Sequence, residues 1–148
     1  MQGLEATGVE NMTQQEVYDF VNKNPVCAMA TSDGGKPYVR EMMIYRADRS
    51  GMVFHTGVAK DVFKQLQNNP NVEFCFVKDD TQVRISGTAV LENDLKLKEE
   101  IVTNRPFLKP IVDKYGYEPL AVFRVQKMSA TVWTMATNLA PKKVIQLQ

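Results

Sequence analysis

Residues 25–45 read PVCAMATSDGGKPYVREMMIY. Pro25 to Thr31 is short and apolar. Ser32 to Pro37 is a turn signal, with Asp33-Gly34 and Gly34-Gly35 supplying residues that accept positive φ. Tyr38 to Tyr45 is the return strand. Side chains alternate across a strand, so Arg40, Met42 and Ile44 share one face and Val39, Glu41 and Met43 the other. A strand, a tight glycine turn and a second strand this early in the chain set the expectation of a mainly antiparallel β fold.

The stretches on either side extend that pattern. Ala47 to Gly51 reads as a second turn and Met52 to Thr56 as a third strand, which predicts a three-stranded opening meander. Val62, Phe63 and Leu66 then keep helical spacing up to Asn68-Asn69-Pro70. Asn71 to Val77 reads as strand four. Gln82 to Leu91 reads as strand five, with Gly87 marking a bulge or tight bend. Asn93 is the expected cap of a helix running through Thr103. Pro106 starts a short turn carrying Leu108, Ile111 and Val112. Leu120 to Met135 is a long strand, and Val144 to Leu147 a final short one. Upstream, Thr13 and Glu16 have capping-box spacing, ahead of the apolar stripe Val17, Phe20 and Val21. About six strands with short flanking helices favour closure into a barrel, which removes exposed edges.

Composition narrows the function classes. The 148 residues are 44% hydrophobic and 24% charged, the balance of one globular domain. The formal net charge of +1 gives no global field for nucleic acid. No apolar run reaches the roughly 20 residues needed to span a bilayer. Residues 1–12 read as a polar arm without a leader pattern, and residues 13–148 as the domain. Cys27 and Cys75 lie in apolar stretches and read as buried thiols, which fits a reducing, cytoplasmic compartment. No metal site is expected, since His55 is the single histidine.

Three features could carry chemistry. Arg40 is a lone cation in an apolar strand. His55-Thr56-Gly57-Val58-Ala59-Lys60-Asp61 is a strand-to-helix junction, where free amides and the helix dipole favour an anion. Gln82 and Arg84 share one face of strand five, opposite Val83 and Ile85. Each has an ordinary structural explanation: a surface arginine, an exposed lysine, a polar outer face.

Their order along the chain is more specific. Gly35-Lys36-Pro37-Tyr38-Val39-Arg40 is followed by Phe54-His55-Thr56 and Lys60. Leu66-Gln67-Asn68-Asn69-Pro70-Asn71-Val72 comes next, then Gln82-Val83-Arg84-Ile85-Ser86-Gly87-Thr88-Ala89. From about Val17 to Trp133 the chain resembles the pyridoxamine 5′-phosphate oxidase-like FMN-binding split barrels, and within them the nitroimidazole-resistance-type flavoproteins. The resemblance implies FMN in a groove at a homodimer interface. It implies that Arg40 and Lys60 hold the phosphate with Thr56, that the backbone of Glu41, Met42 and Met43 lines the flavin, and that Gln82 bonds the cofactor. It places Trp133 of a second subunit near the ring and makes His55 a candidate catalytic residue.

The chain also departs from that pattern. Tyr45 stands where the true oxidases have lysine, and Ala136 to Gln148 lacks their arginine–histidine motif. Pyridoxamine phosphate is therefore not the expected substrate. The expectation is an FMN-dependent oxidoreductase acting on small electrophiles. A non-catalytic FMN-binding or electron-transfer protein is the alternative, followed by deazaflavin or haem on the same barrel.

Overall fold

A computed structural model describes residues 12–148. The expected arm lies outside the described residues except for Met12, which packs against the core. Four α-helices flank a single antiparallel sheet of eight strands.

The first helix, α1 (Gln14–Lys23), begins as its sequence dictates. Thr13 Oγ1 accepts the Glu16 amide at 3.1 Å, and Glu16 Oε1 accepts the Thr13 amide at 3.1 Å. This reciprocal cap satisfies two amides that a helix end otherwise leaves free. Val17 and Val21 are then fully buried.

The strands are β1 (Val26–Asp33), β2 (Lys36–Met43), β3 (Arg46–Asp48), β4 (Gly51–Gly57), β5 (Asn71–Lys78), β6 (Thr81–Leu91), β7 (Leu120–Thr134) and β8 (Ile145–Gln146). They order as β2-β1-β5-β6-β7-β4-β3, with β8 added to β7. The opening meander is therefore not formed. β1 and β2 pair as expected, but β4 pairs with β7 at the other side of the sheet. The expected turn at Ala47 contains the short strand β3, which hydrogen-bonds to β4. β2 and β3 end the strand order on opposite sides, yet only Ile44 and Tyr45 separate them in the chain. The Ile44 amide donates to Pro25 O at 3.0 Å and the Tyr45 amide to Val53 O at 2.8 Å. One bent segment thus serves both ends of the sheet. The barrel is split because its ends are joined by the chain rather than by a ladder.

The long strands bend where the sequence provides for it. The β6–β7 register shifts between Ser86 and Thr88. A Cβ on Gly87 would lie 2.7 Å from Val125 Cγ1 and 2.8 Å from Gln126 O, so only glycine fits. Lys127 has a φ of 53°, bending β7 near the same level. Inside the barrel Phe54 stacks on Phe123 with centroids 5.4 Å apart and meets Phe74 edge-on at 5.7 Å. Aromatic pairs of this kind contribute about 0.5–1.5 kcal/mol beyond their buried area.

β4 is buried on both faces. Met52 and Phe54 face the barrel interior. Val53 faces an outer layer built by α3 (Leu95–Asn104) and α4 (Lys109–Tyr115), with Leu97, Ile101, Leu108, Leu120 and Val122. The cap of α3 is Asp94 rather than Asn93: its carboxylate accepts the amides of Lys96 and Leu97. The helix begins at Leu95, one residue later than expected, which puts Asp94 at the capping position.

Candidate functional site

Alternation along β4 places His55 on the same outer face as Val53, below the α3–α4 layer. There a cavity of about 410 Å³ opens. One wall is β2, β4 and the junction after β4: Glu41, Met42, Met43, His55, Thr56, Gly57 and Lys60. The other is the segment between α3 and β7, with Arg105, Phe107, Leu108, Ile111 and Leu120 among its residues. Six of the nine expected site residues thus line one cavity.

The junction wall can receive an anion. Lys60 caps α2 (Asp61–Asn68) through backbone geometry alone, with no side-chain capping bond. The Lys60 amide donates to Gly57 O and the Phe63 amide to Lys60 O. The amides of Asp61 and Val62 remain free among the described residues, at the positive end of the helix dipole. Thr56 is only 7% exposed, and its hydroxyl makes no hydrogen bond among the described residues. A hydroxyl open to the cavity, two free amides and a lysine form a donor set that fits a phosphate.

Arg40 does not line this cavity. Its guanidinium lies behind the junction, donating to Thr31 Oγ1 at 2.9 Å and to Gln65 Oε1 on α2. Thr31 in turn donates to Gln65 at 2.6 Å. Burial lowers the Arg40 pKa and nearby Asp61 raises it. In this structure Arg40 ties β2 to the middle of α2 through Gln65.

Gln82 and Trp133 also lie elsewhere. They are cross-strand partners on β6 and β7, and Trp133 Nε1 donates to Asn138 Oδ1 at 2.9 Å. Leu120, on the cavity wall, starts β7 and Trp133 nearly ends it. A straight strand of that length runs roughly 40 Å, less the bend. The pair sits on an outer sheet face whose register runs Glu41, Ala28, Cys75, Arg84, Thr131 across five strands. Val26, Val39 and Val77 are exposed on the same face, at 51%, 71% and 54%.

Residue Arg105, unremarked in the sequence, organises the inner end of the cavity. It caps the C-terminus of α3 and stacks on the Tyr45 ring, 5.3 Å from its centroid. It donates to Met43 O at 3.2 Å, Ile44 O at 2.5 Å and His55 Nε2 at 2.7 Å. A guanidinium only donates, so Nε2 of His55 accepts and the ring proton resides on Nδ1. Burial, then the charges of Arg105 and Lys60, hold the His55 pKa down at about 4. His55 is therefore a neutral imidazole at physiological pH. The only hint of Arg105 in the sequence was an arginine directly before Pro106, where a helix must stop.

Tyr45 turns away from the cavity. Its hydroxyl donates to Glu100 Oε2 at 2.6 Å and accepts from Asn104 Nδ2 at 2.8 Å. The two cysteines are free. Cys27 is buried and Cys75 half-buried rather than buried as expected, because alternation in β1 and β5 puts them on opposite faces of the sheet. Burial, with Cys75 and Glu41 nearby, pushes the Cys27 thiol up to about 12.

The split barrel, with a groove between its sheet and an outer helical layer, defines the class of β protein to which this chain belongs. The family model for pyridoxamine 5′-phosphate oxidase matches residues 13–144, and the chain belongs to that family. It is 29% identical over 99 residues to general stress protein 26 of Bacillus subtilis, covering 62% of this chain and 69% of that one. It is 33% identical over 66 residues to the pyridoxine/pyridoxamine 5′-phosphate oxidase of Edwardsiella ictaluri. That match covers 43% of this chain and only 30% of the oxidase. Among solved structures, a NimC/NimA family protein of Clostridium acetobutylicum superposes with a TM-score of 0.75 and 22% identity, over 95% of this chain and 97% of the other. Among the described residues, no helix is long and apolar enough to cross a membrane.

Proposed function

We propose that this protein is an FMN-binding oxidoreductase that acts on small electrophilic molecules and works as a cytoplasmic homodimer. The observation that carries this reading is the donor set at the α2 junction: buried Thr56, the free amides of Asp61 and Val62, and Lys60 on one cavity wall. Lys60 offers a point charge to the phosphate, and the amides add directed donors. Arg40 holds α2 in place and reinforces the positive field. The backbone of Glu41, Met42 and Met43 forms the floor on which a flat ring can lie. When bound, FMN supplies the two-electron chemistry. Leu108, Ile111 and Leu120 exclude water from that space.

A second copy accounts for Gln82 and Trp133. Neither lines the cavity of its own chain, but the sheet face that carries them also carries Glu41. Docking two such faces would cover Val26, Val39 and Val77 and give the groove its outer wall.

The haem alternative is disfavoured by the bond from Arg105, which occupies Nε2 of the single histidine. The carrier or electron-transfer alternative draws support from the neutral His55, which supplies no acid at neutral pH. The test begins with a visible spectrum of the purified protein and an FMN titration. Turnover is then measured with NADH or NADPH and a panel of nitroaromatic and quinone acceptors. Flavin binding with turnover is the expected result. Flavin binding without turnover would leave the carrier reading, and no flavin binding would overturn both.

A further inference from the structure

The second wall of the cavity holds a cation that no described carboxylate neutralises. Arg105 is half-buried, and among the described residues no carboxylate pairs with it. Its acceptors are two backbone carbonyls and a neutral imidazole. A guanidinium has five N–H groups, and three are used here. The free ones are Nε–H and one hydrogen of Nη2. Together they form the edge of the fork that matches the two oxygens of a carboxylate. Glu41 lines the same cavity from β2 but makes no ion pair with Arg105.

The surroundings of that cation are apolar. Phe107, Leu108, Ile111 and Val112 stand on the same wall, and the Phe107 ring lies 6.4 Å from that of His55, centroid to centroid. Phe107 is 61% exposed, a large aromatic surface left beside a cavity. A half-buried charge without a counter-ion is unfavourable and gains most from a ligand that brings one.

We propose that the wall formed by Arg105 and Phe107 is a subsite for small planar carboxylates, with Arg105 gripping the carboxylate and Phe107, Leu108 and Ile111 covering the ring. As a carboxylate site this stands on the cavity and on Arg105 alone. As a substrate subsite it rests on the flavin reading above. Arg105 is then the specificity-determining residue: it selects acidic over neutral ligands of the same shape. His55, fixed by Arg105 with its proton on Nδ1, offers that proton as a hydrogen-bond donor beside the ligand.

The experiment titrates benzoate and its neutral analogue benzamide into the full-length protein by calorimetry, with and without FMN, and measures FMN affinity separately by fluorescence. Benzoate is expected to bind at least tenfold more tightly than benzamide. Arg105→Met is expected to erase that preference. Arg105 also ties α3 to β2, so Arg105→Lys and Phe107→Ala are measured beside it. The lysine variant is expected to keep part of the preference, since the charge stays and the fork goes. Phe107→Ala removes an exposed ring and is expected to weaken benzoate and benzamide alike. Equal affinity for the two ligands, or no binding of either, would overturn the subsite whether or not FMN binds. A benzoate preference in a protein that ignores FMN would uphold the carboxylate site and overturn the flavin reading instead.

Discussion

Arg105 Nη1 donates to His55 Nε2 across 2.7 Å, joining the end of α3 to strand β4 at the floor of the cavity. The bond works only while His55 is neutral, because a protonated imidazole has no lone pair to accept it. Protonation would also set two cations side by side. The contact therefore couples the outer helical layer to pH.

Its sign follows from the two states. The imidazole titrates near 6.5 in the unfolded chain and at about 4 in the folded one. Between those values the unfolded state binds more protons, so stability rises with pH. The contribution is fully present above about pH 6.5 and is lost as pH falls toward 4. At about 1.4 kcal/mol per pKa unit, discounted for partial exposure, it amounts to roughly 2–3 kcal/mol. Urea unfolding from pH 4 to pH 7 should show this slope, and His55→Gln should flatten it. An unchanged slope in the variant would show that carboxylates, not His55, set the acid limit.

Lys60 and Arg40 should separate binding from stability. Lys60 is exposed on the cavity wall and holds no other element in place. Lys60→Ala should weaken FMN binding roughly tenfold to a hundredfold, the value of a charge-assisted contact, with little change in melting temperature. Arg40 bonds Thr31 and Gln65, both buried. Arg40→Ala should therefore lose about 1–3 kcal/mol of stability as well as FMN affinity. Flavin fluorescence and thermal unfolding on the same samples check both. Equal stability losses in the two variants would contradict the assignment.

Local signals were legible in the sequence, and long-range ones were not. The Thr13–Glu16 cap, the glycine turn at Gly34-Gly35 and the bulge at Gly87 each follow from a few adjacent residues. β3 was missed because three residues between turn formers read as turn, and only pairing with β4 makes them a strand. The meander failed for a related reason: β4 finds β7, some seventy residues away, while β2 stays with β1. Arg105 was invisible because its acceptors Met43, Ile44 and His55 lie far back in the chain. A single arginine carries no periodicity. The junction residues Thr56 and Lys60 were legible because a strand end, a glycine and a helix start place them locally.

Gly87 gives a stability prediction free of any ligand. Its missing Cβ would meet the Val125 side chain and a backbone oxygen below 3 Å, in a register shift shared by two strands. Gly87→Val should cost about 2–4 kcal/mol through overpacking and loss of the bulge. Gly34→Ala is the comparison. No atom lies within 4 Å of its Cβ, and its cost should be limited to the strain of a φ of 60°. Denaturant midpoints for the two variants should differ in that order. A silent Gly87→Val would mean that β6 and β7 can repack without the bulge.

The separation of Trp133 from the cavity yields the last prediction. If a second copy supplies the outer wall, FMN affinity depends on protein concentration, because dilution removes that wall by mass action. Apparent affinity should be constant at high protein concentration and fall once the dimer dissociates. Trp133→Ala should lower FMN affinity about tenfold at high protein concentration, the order expected for losing an aromatic contact at an interface, and should make no further difference once the dimer has dissociated. Val39→Glu sets an added charge into the exposed apolar face and should produce a folded monomer with weak FMN binding. Size-exclusion chromatography and flavin fluorescence over the same dilution series check all three. A monomer that holds FMN as tightly as the concentrated protein would mean that one chain completes the site alone, and that the face around Trp133 serves something else.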